Sequence, residues 1–509
     1  MKRTRWSRLR WQSRSQPVSY THLDVYKRQL LNGALALCLV LCTASCTVSV
    51  APAYRIIKES LETQFVPGQN PELRVRASYT LENYGNSGLA SIDVILPDKS
   101  SYGLKGLLIK VNGREAAVAE LSVDPKEAGL SKFRIPLDPS WNQKQRRDLV
   151  IEYSFASPGD SGVNIGLSST SFHVVSHAWF PLLQPPSHVL SPFPASPERI
   201  TYTVQAPGNF LLLAPGKRVG RTKNGEEVKS RFELRSSDPA PFIVAGRYVD
   251  SCSNGRECGA SFWTLEPLKG DRGPAEEQIA SDWNILQKNF GPLGKTNLAP
   301  HVVESPGLRH IGDDMPSAVP FFGGVLVNPQ AISQGVHSGE FLDLVAHALA
   351  GNWFGVQIYS SNSVVGISEG LSEYAVIVID EARHGDSARN SRILKFLHEY
   401  DAACKEAVEK PLIATTISDS IEQRRIALAK APLFFIALED AYGEASVRQA
   451  LAQVVSLLRG QEVGFQELRA ALENVTNKDL APIFRAWLYK PGIPAEFREK
   501  YQRAADGKN

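Results

Sequence analysis

The sequence lacks the features that mark several common classes of protein. Outside residues 3–14 it has no cluster of lysine and arginine, and its formal net charge is only +3 over 509 residues. It therefore lacks the basic surface that nucleic-acid binding requires. No apolar run reaches the roughly 20 residues of a membrane span, and internal repeats and low-complexity tracts are absent. A hydrophobic fraction of 43% is typical of a globular chain of about two or three domains.

Cysteine is scarce in the body of the chain. Of the six cysteines, Cys38, Cys42 and Cys46 lie near the N-terminus, which leaves Cys252, Cys258 and Cys404. Cys252 and Cys258 flank the turn-like stretch SNGRE, so in an oxidising compartment they could close a small disulfide loop. A zinc site is the weaker interpretation, because two cysteines without a third Cys or a His nearby make a poor one.

The N-terminal segment carries export signals. Residues 30–41 form an apolar run of signal-peptide length, and two processing sites compete after it: a lipoprotein-like box that ends at Cys46, and an Ala-Pro-Ala stretch at residues 51–53. We expect an export segment over residues 1–53 with its signal-peptide core at 30–45. The protein would then be periplasmic or held at the cell envelope, through a lipidated Cys46 or an uncleaved signal anchor. Residues 1–29 include linker-like sequence and are treated as non-native.

Two patterns divide the remaining chain. From about residue 73 to 265, short stretches alternate apolar and polar residues, which predicts an antiparallel, sandwich-like β domain over residues 54–268. The breaker-rich stretch EPLKGDRGP at residues 266–274 marks the predicted boundary. Helical periodicity follows, so residues 269–509 should form an α/β domain that ends in helices. The predicted fold class is α+β, in several domains.

Residues 343–369 hold the most informative chemistry. Apolar residues at spacings of three and four place His347 inside a helix, and Glu369 falls in the first turn of the next helix. A helix-borne zinc peptidase needs a second histidine four residues after the first, a glutamate beside the first, and a third ligand from another helix. Here Ala348 follows His347 and Gly351 stands four residues on, so the general base and one ligand are missing.

These residues resemble the M1 family of zinc aminopeptidases, gluzincins with a thermolysin-like catalytic domain. The stretch AHALAGNWFG at residues 346–355 is similar to the family's AHELAHQWFGN, and SEGLSEY at 368–374 to its NEG-type helix start. Further similar elements are FGP at 290–292, WFP at 179–181 and DLAPIFRAWL at 479–488. The resemblance covers about residues 70–496 and implies an M1-type β domain followed by the peptidase domain.

The resemblance assigns roles to single residues. It places His347 at the first zinc ligand and Glu369 at the third, while Ala348 stands at the general base and Gly351 at the second ligand. Leu428 stands at the catalytic tyrosine, two residues before the Lys-Gly-like pair that begins at Lys430. The GxMEN segment has no clear counterpart, and residues 312–316 or 322–325 would occupy its place. The remaining candidates for the cleft are Trp353, Glu373, Tyr374 and Lys430.

Two functions remain open. The first is a degenerate M1 protein that keeps a peptide-sized cleft for a peptide or protein at the cell envelope, with zinc doubtful at two of three ligands. The alternative is a zinc-dependent aminopeptidase with a rearranged metal site and an unidentified third ligand. The loop candidates for that ligand are His310, Asp313, Asp314, His337 and Glu340. His384 is excluded because a continuous helix would put it roughly 22 Å from Glu369. The G-x-S-x-G pattern around Ser368 also fits a serine nucleophile, but the alternating strand and helix pattern of such hydrolases is absent.

Overall fold

The computed structural model describes residues 53–85, 88–97, 102–121, 130–156, 164–175, 179–184, 197–235, 240–252, 258–294, 299–308, 318–360, 366–416 and 419–505. The predicted export segment before residue 53, including Cys46, lies outside this range. So do His310, Asp313 and Asp314, and with them residues 312–316, one of the two proposed counterparts of the GxMEN segment.

The N-terminal domain is built from strands. They are β1 Tyr54–Val66, β2 Glu72–Asn83, β3 Leu89–Pro97, β4 Leu104–Val111, β5 Arg114–Glu115, β6 Ala119–Leu121, β7 Leu130–Trp141, β8 Arg146–Ala156, β9 Ile165–Leu167, β10 Ser171–Val174, β11 Leu182–Gln184, β12 Arg199–Pro207, β13 Leu211–Leu213, β14 Lys217–Asn224, β15 Glu227–Arg235 and β16 Ile243–Gly246. An eight-stranded sheet in the order β14-β15-β12-β1-β2-β8-β4-β5 packs with two four-stranded sheets, β13-β16-β10-β9 and β11-β3-β7-β6. The pairing is antiparallel except between β1 and β12.

Alternation explains why these strands form layers. In β2, every second residue from Leu73 to Leu81 is buried and the residues between them face outward. The period of two puts all apolar side chains of a strand on one face, and these faces meet in one core with Trp141, Trp179 and Phe172 among its largest members. The predicted β domain is confirmed.

The second domain begins earlier than the sequence suggests. Strands β17 Val249–Asp250, β18 Ser261–Thr264, β19 His301–Glu304, β20 Ala318–Phe321 and β21 Gly324–Val327 form one sheet in the order β17-β18-β19-β21-β20. The predicted boundary at residue 268 therefore lies inside this domain. The breaker-rich stretch after β18 connects that strand to the first helix of the same domain, and polar breakers occur in such connections as readily as between domains.

Helices complete this domain. They are α1 Gly273–Phe290, α2 Pro329–Ser333, α3 Gly339–Gly351, α4 Ser368–His384, α5 Asp386–Glu406, α6 Ile421–Tyr442, α7 Glu444–Leu457, α8 Phe465–Thr476, α9 Ala481–Leu488 and α10 Ala495–Ala505, with a π-helical segment Asn352–Gln357, a 3₁₀ turn Leu412–Ala414 and a small parallel pair, β22 Tyr359–Ser360 and β23 Glu462–Val463. In the described part of the chain, no helix combines the length and apolar character needed to cross a membrane.

Helix α4 is the central element of this helical layer. Its residues from Gly370 to Ile379 are buried except Glu373, and a helix that is apolar on nearly all sides needs neighbours all round. Near its middle the buried Glu439 of α6 accepts hydrogen bonds from Tyr374, Arg389 and Arg448, each at 2.7 Å. One carboxylate thus joins α4, α5, α6 and α7.

The two domains share a small apolar core. Phe242 and Val244 from the β domain pack with Val303, Phe321 and Leu326 from the second sheet. In the same region the Nδ1 atom of the buried His173 lies 2.7 Å from Ser305 Oγ. The sheet that carries β20 is therefore held against the β domain on one side and against α3 on the other.

Candidate functional site

Helix α3 places His347 opposite the start of α4. Ser338 caps the helix and accepts a hydrogen bond from Phe341 N at 3.1 Å. At its other end the buried Asn352 is fixed to the turn between β20 and β21: its Oδ1 accepts from Gly323 N at 2.9 Å and its Nδ2 donates to Gly324 O at 3.1 Å. These two bonds dock the end of α3 on the β20–β21 hairpin.

His347 lies between two carboxylates of α4. Its Nε2 is 3.0 Å from Glu369 Oε2, and its Nδ1 is 2.9 Å from Glu373 Oε1. Because the ring N–H is poorly aligned with Glu373, the second contact is an ion pair rather than a good hydrogen bond. Glu369 and Glu373 are four residues apart and so share one helix face. The structure thus brings together the predicted first and third ligands and one predicted cleft residue.

His347 and Glu373 stabilise each other's ionised form. Burial alone would lower the pKa of His347, but the charge of Glu373, the hydrogen bond to Glu369 and the charge of Glu369 outweigh it and hold the pKa well above its usual range. Burial would raise the pKa of Glu373, yet the His347 charge, with Arg392 and Lys395, lowers it. The raised pKa of His347 and the lowered pKa of Glu373 both favour the ionised pair.

The second ligand position is closed by a proline. A Cβ atom at Gly351 would lie 2.8 Å from Pro320 Cγ and 3.2 Å from Pro320 Cβ, which is too close without a shift of strand β20. The sequence gives no sign of this contact, since it joins residues 31 positions apart through the Asn352 anchor. Gly351 is the residue that lets the hairpin approach α3.

The other two catalytic positions carry apolar side chains. Ala348 is 2% exposed and belongs to the core. Leu428 is half-buried on α6, one turn before Ala431. A Cβ atom at Gly370 would be 2.5 Å from the Cβ of Ala431, so this part of α6 lies against the start of α4. Neither residue has a group that transfers a proton or donates a hydrogen bond.

Three predicted cleft residues are core residues instead. Trp353 is fully buried and donates from Nε1 to Gly291 O at 2.8 Å. Tyr374 is fully buried and bonded to Glu439. Lys430 is 1% exposed and donates to Glu409 Oε1 at 2.7 Å and Lys490 O at 2.8 Å. Polar and aromatic side chains line clefts as well as cores. Only tertiary packing decides which of the two applies to a motif position.

The two described candidates for a substitute ligand lie away from the site. His337 and Glu340 are exposed at the start of α3, two or more turns from His347. Helix α4 is continuous from Ser368 to His384, in agreement with the exclusion of His384. Ser368 has no described contact with His347, whose Nε2 faces Glu369 instead.

The donors at this centre do not complete a zinc site of the catalytic kind. His347 Nε2 and Glu369 can face one ion, but Glu373 lies on the opposite ring nitrogen, where outer carboxylates orient a ligating histidine. In the part of the chain that the structure describes, two protein donors remain, whereas catalytic zinc normally has three. In the described residues, the one group of three close potential ligands is Cys252, Cys258 and Glu276, in another part of the domain.

The Pro320 contact predicts an unusual response to alanine at Gly351. Alanine is favoured over glycine in a helix by about 1 kcal/mol, but overpacking costs about 1–3 kcal/mol. We therefore expect Gly351→Ala to lower the thermal midpoint and Pro320→Ala to restore it. Gly355→Ala is the control, because its Cβ would be 4.0 Å from Pro320 Cγ. A Gly351→Ala variant that is more stable than the parent would contradict the contact.

The ion pairs predict a shifted titration of His347. Since its folded pKa is raised, the stability from this cation is fully present below about pH 6.5 and is lost as the pH rises through the folded pKa. Proton NMR, with His347→Gln for assignment, should show the ring still charged above pH 6.5. Glu373→Gln should lower the pKa, whereas Glu340→Gln should not. An ordinary or lowered pKa in the parent protein would refute this arrangement.

Comparison with known proteins bears on the fold. No protein-family model and no curated protein matches the sequence. Among solved structures, an M1 zinc metallopeptidase from Deinococcus radiodurans is similar at 17% identity and a TM-score of 0.60, over 87% of this chain and 96% of that one. The yeast LTA4 hydrolase in complex with bestatin is similar at 16% identity and a TM-score of 0.61, over 87% of this chain and 68% of that one. The chain therefore has the fold of the M1 zinc metallopeptidases.

Proposed function

We propose that this protein is a catalytically inactive member of the M1 aminopeptidase fold that binds a peptide or a protein segment at the former active site. The observation that carries the proposal is the packing of Pro320 on Gly351. A vacant ligand position could be served by a water or a mobile side chain. Here the ring of Pro320, in the edge strand β20, occupies the position, so neither a water nor a mobile side chain fits there.

The losses of rate expected from the missing groups multiply. Removal of a general base typically costs a factor of about 10² to 10⁴ in rate, and Ala348 offers no substitute. Loss of a metal ligand undermines the ion that would create the nucleophile. Leu428 removes a hydrogen-bond donor to the developing oxyanion, a loss commonly of about 10² to 10³. All three changes would have to be compensated together for catalysis to persist.

The surroundings of the site suit an extended peptide. Strand β20 is the edge of its sheet, and an edge strand offers backbone groups with which a peptide can pair. The side chains of Glu369 and Glu373 are 53% and 29% exposed. With one imidazolium between them, the two carboxylates leave a net negative charge that favours an amino terminus or a basic side chain.

The alternative is a zinc-dependent aminopeptidase with a rearranged metal site. One observation favours it: Glu373 holds Nδ1 of His347 as outer carboxylates do in metal sites, which leaves Nε2 beside Glu369. Zinc bound there would have two protein ligands and a Lewis-acid role. The solved proteins of this fold are described as zinc metallopeptidases, which makes zinc the metal to test.

Restoring the missing groups tests the proposal. We expect the parent protein to show no chelator-sensitive cleavage of aminoacyl reporters. The combination of Ala348→Glu, Gly351→His, Leu428→Tyr and Pro320→Ala should bind one equivalent of zinc by metal analysis. The same variant with Pro320 kept should bind less, because the proline occupies the space of the new histidine.

Three outcomes would overturn these assignments. Stoichiometric zinc in the parent protein that is lost in His347→Ala would refute the inactive metal site, and chelator-sensitive cleavage would refute inactivity. A folded fourfold variant without any gain in zinc affinity would contradict the residue assignments instead.

Peptide binding can be tested separately. A peptide labelled at its C-terminus should bind with a free amino terminus and more weakly when acetylated. Glu369→Gln should weaken binding of the free form by about tenfold or more, since hydrogen bonds to charged groups contribute about 1.5–3 kcal/mol. Glu340→Gln, an exposed acid at the start of the same helix α3 as His347, is the control. Equal affinity for both peptides would exclude recognition of the amine by this pair.

The proposed location follows from the N-terminal segment. A signal peptide with a lipidated Cys46, or an uncleaved anchor, would hold the binding site at the cell envelope. Because β1 begins at Tyr54, a tether at Cys46 would leave only a short link between the membrane and the β domain.

A further inference from the structure

A second group of potential ligands lies at the opposite side of the second sheet from β20. The loop between β17 and β18 is closed by a disulfide between Cys252 and Cys258, and the first turn of α1 lies against it. The two sulfur atoms and a carboxylate oxygen of Glu276 are all within 4.8 Å of one another. Glu276 is only 2% exposed. The sequence interpretation missed this third ligand because it comes from a helix 18 residues further on.

We propose that Cys252, Cys258 and Glu276 form a zinc site when the disulfide is reduced, so that this loop alternates between a disulfide and a metal-bound state. A dithiol reductant breaks the S–S bond by exchange, becomes a disulfide itself and leaves two thiols. Zinc then displaces both thiol protons and binds two thiolates and the carboxylate. A water completes the four ligands that zinc prefers. This site is independent of the centre at His347.

The framework of the loop does not depend on the disulfide alone. Cys252 N donates to Asp250 Oδ1 at 2.9 Å, and Phe262 N donates to Ser251 Oγ at 2.9 Å. On the other side, a Cβ atom at Gly259 would be 2.5 Å from the Cβ of Ala280. Ala280 is one turn after Glu276 on the same face of α1. The close approach at Gly259 therefore keeps Cys258 beside Glu276 after reduction.

Charge and access also suit a divalent cation. Arg272 donates from Nε to Glu276 Oε1 at 3.0 Å, the kind of outer contact that orients a ligand. Two thiolates and one carboxylate carry three negative charges, which Zn²⁺ and Arg272 balance. A cavity of about 510 Å³, lined by Cys258, Glu276 and Asn284 among others, borders the group and gives an ion a path from solvent.

Peptide-resolved alkylation of the reduced full chain tests the site. Zinc should slow iodoacetamide modification of Cys252 and Cys258 at least tenfold and leave Cys404, a free cysteine, unaffected. Glu276→Gln should raise the zinc concentration for half-protection by about tenfold or more. Glu277→Gln, an exposed neighbour on the same helix, should not change it.

Each readout can refute the proposal. Equal protection of Cys404, or no protection of the pair, would show that no specific site forms in the parent chain, whatever the stability of the variants. If reduced Glu276→Gln is protected at the same zinc concentration as the parent, the carboxylate is not a ligand and the three-residue site is wrong.

Discussion

The buried carboxylate of Glu439 is the interaction on which the helical half of this protein depends. It has no solvent access and accepts hydrogen bonds from a tyrosine and two arginines on three other helices. Such a carboxylate is stable only when all its partners are present, and loss of one partner from a buried ion pair costs about 3–5 kcal/mol. The register of α4 is thereby fixed at its middle. Glu373 directly precedes Tyr374, and Glu369 lies four residues nearer the start of α4, so this contact also positions both carboxylates.

The spacing between the helices around His347 is also set by specific contacts. Gly370 against Ala431 sets the distance between α4 and α6, and Asn352 sets the distance between α3 and the β20–β21 hairpin. None of these contacts involves a position that the sequence resemblance assigns to catalysis. The packing therefore does not require catalytic side chains at Ala348, Gly351 or Leu428. At Gly351 the lack of a side chain even permits a closer approach of Pro320.

The sequence predicts the fold and the pairing of His347 with Glu369 better than it predicts which distant segments pack against each other. Alternation in strands such as β2 and helical spacing around α4 depend on local periodicity, so the two-part architecture could be derived from them. Motif register also placed His347 opposite Glu369. Burial of Lys430, the Pro320 contact and the meeting of Glu276 with the cysteine pair could not be derived. Each depends on which surfaces of distant segments meet, and polar side chains give no periodic signal for that.

The group around His347 is stabilised by the charges of its own side chains. Two carboxylates facing one another in a partly buried site need a cation, and the protonated imidazole provides it. Metal binding requires neutral imidazole, so an ion must first displace this proton. Every unit by which the pKa of His347 exceeds the pH lowers metal affinity about tenfold. The carboxylates that would attract zinc therefore also strengthen the binding of the proton that competes with it. Gly351 contributes no third donor to zinc, which further favours the proton.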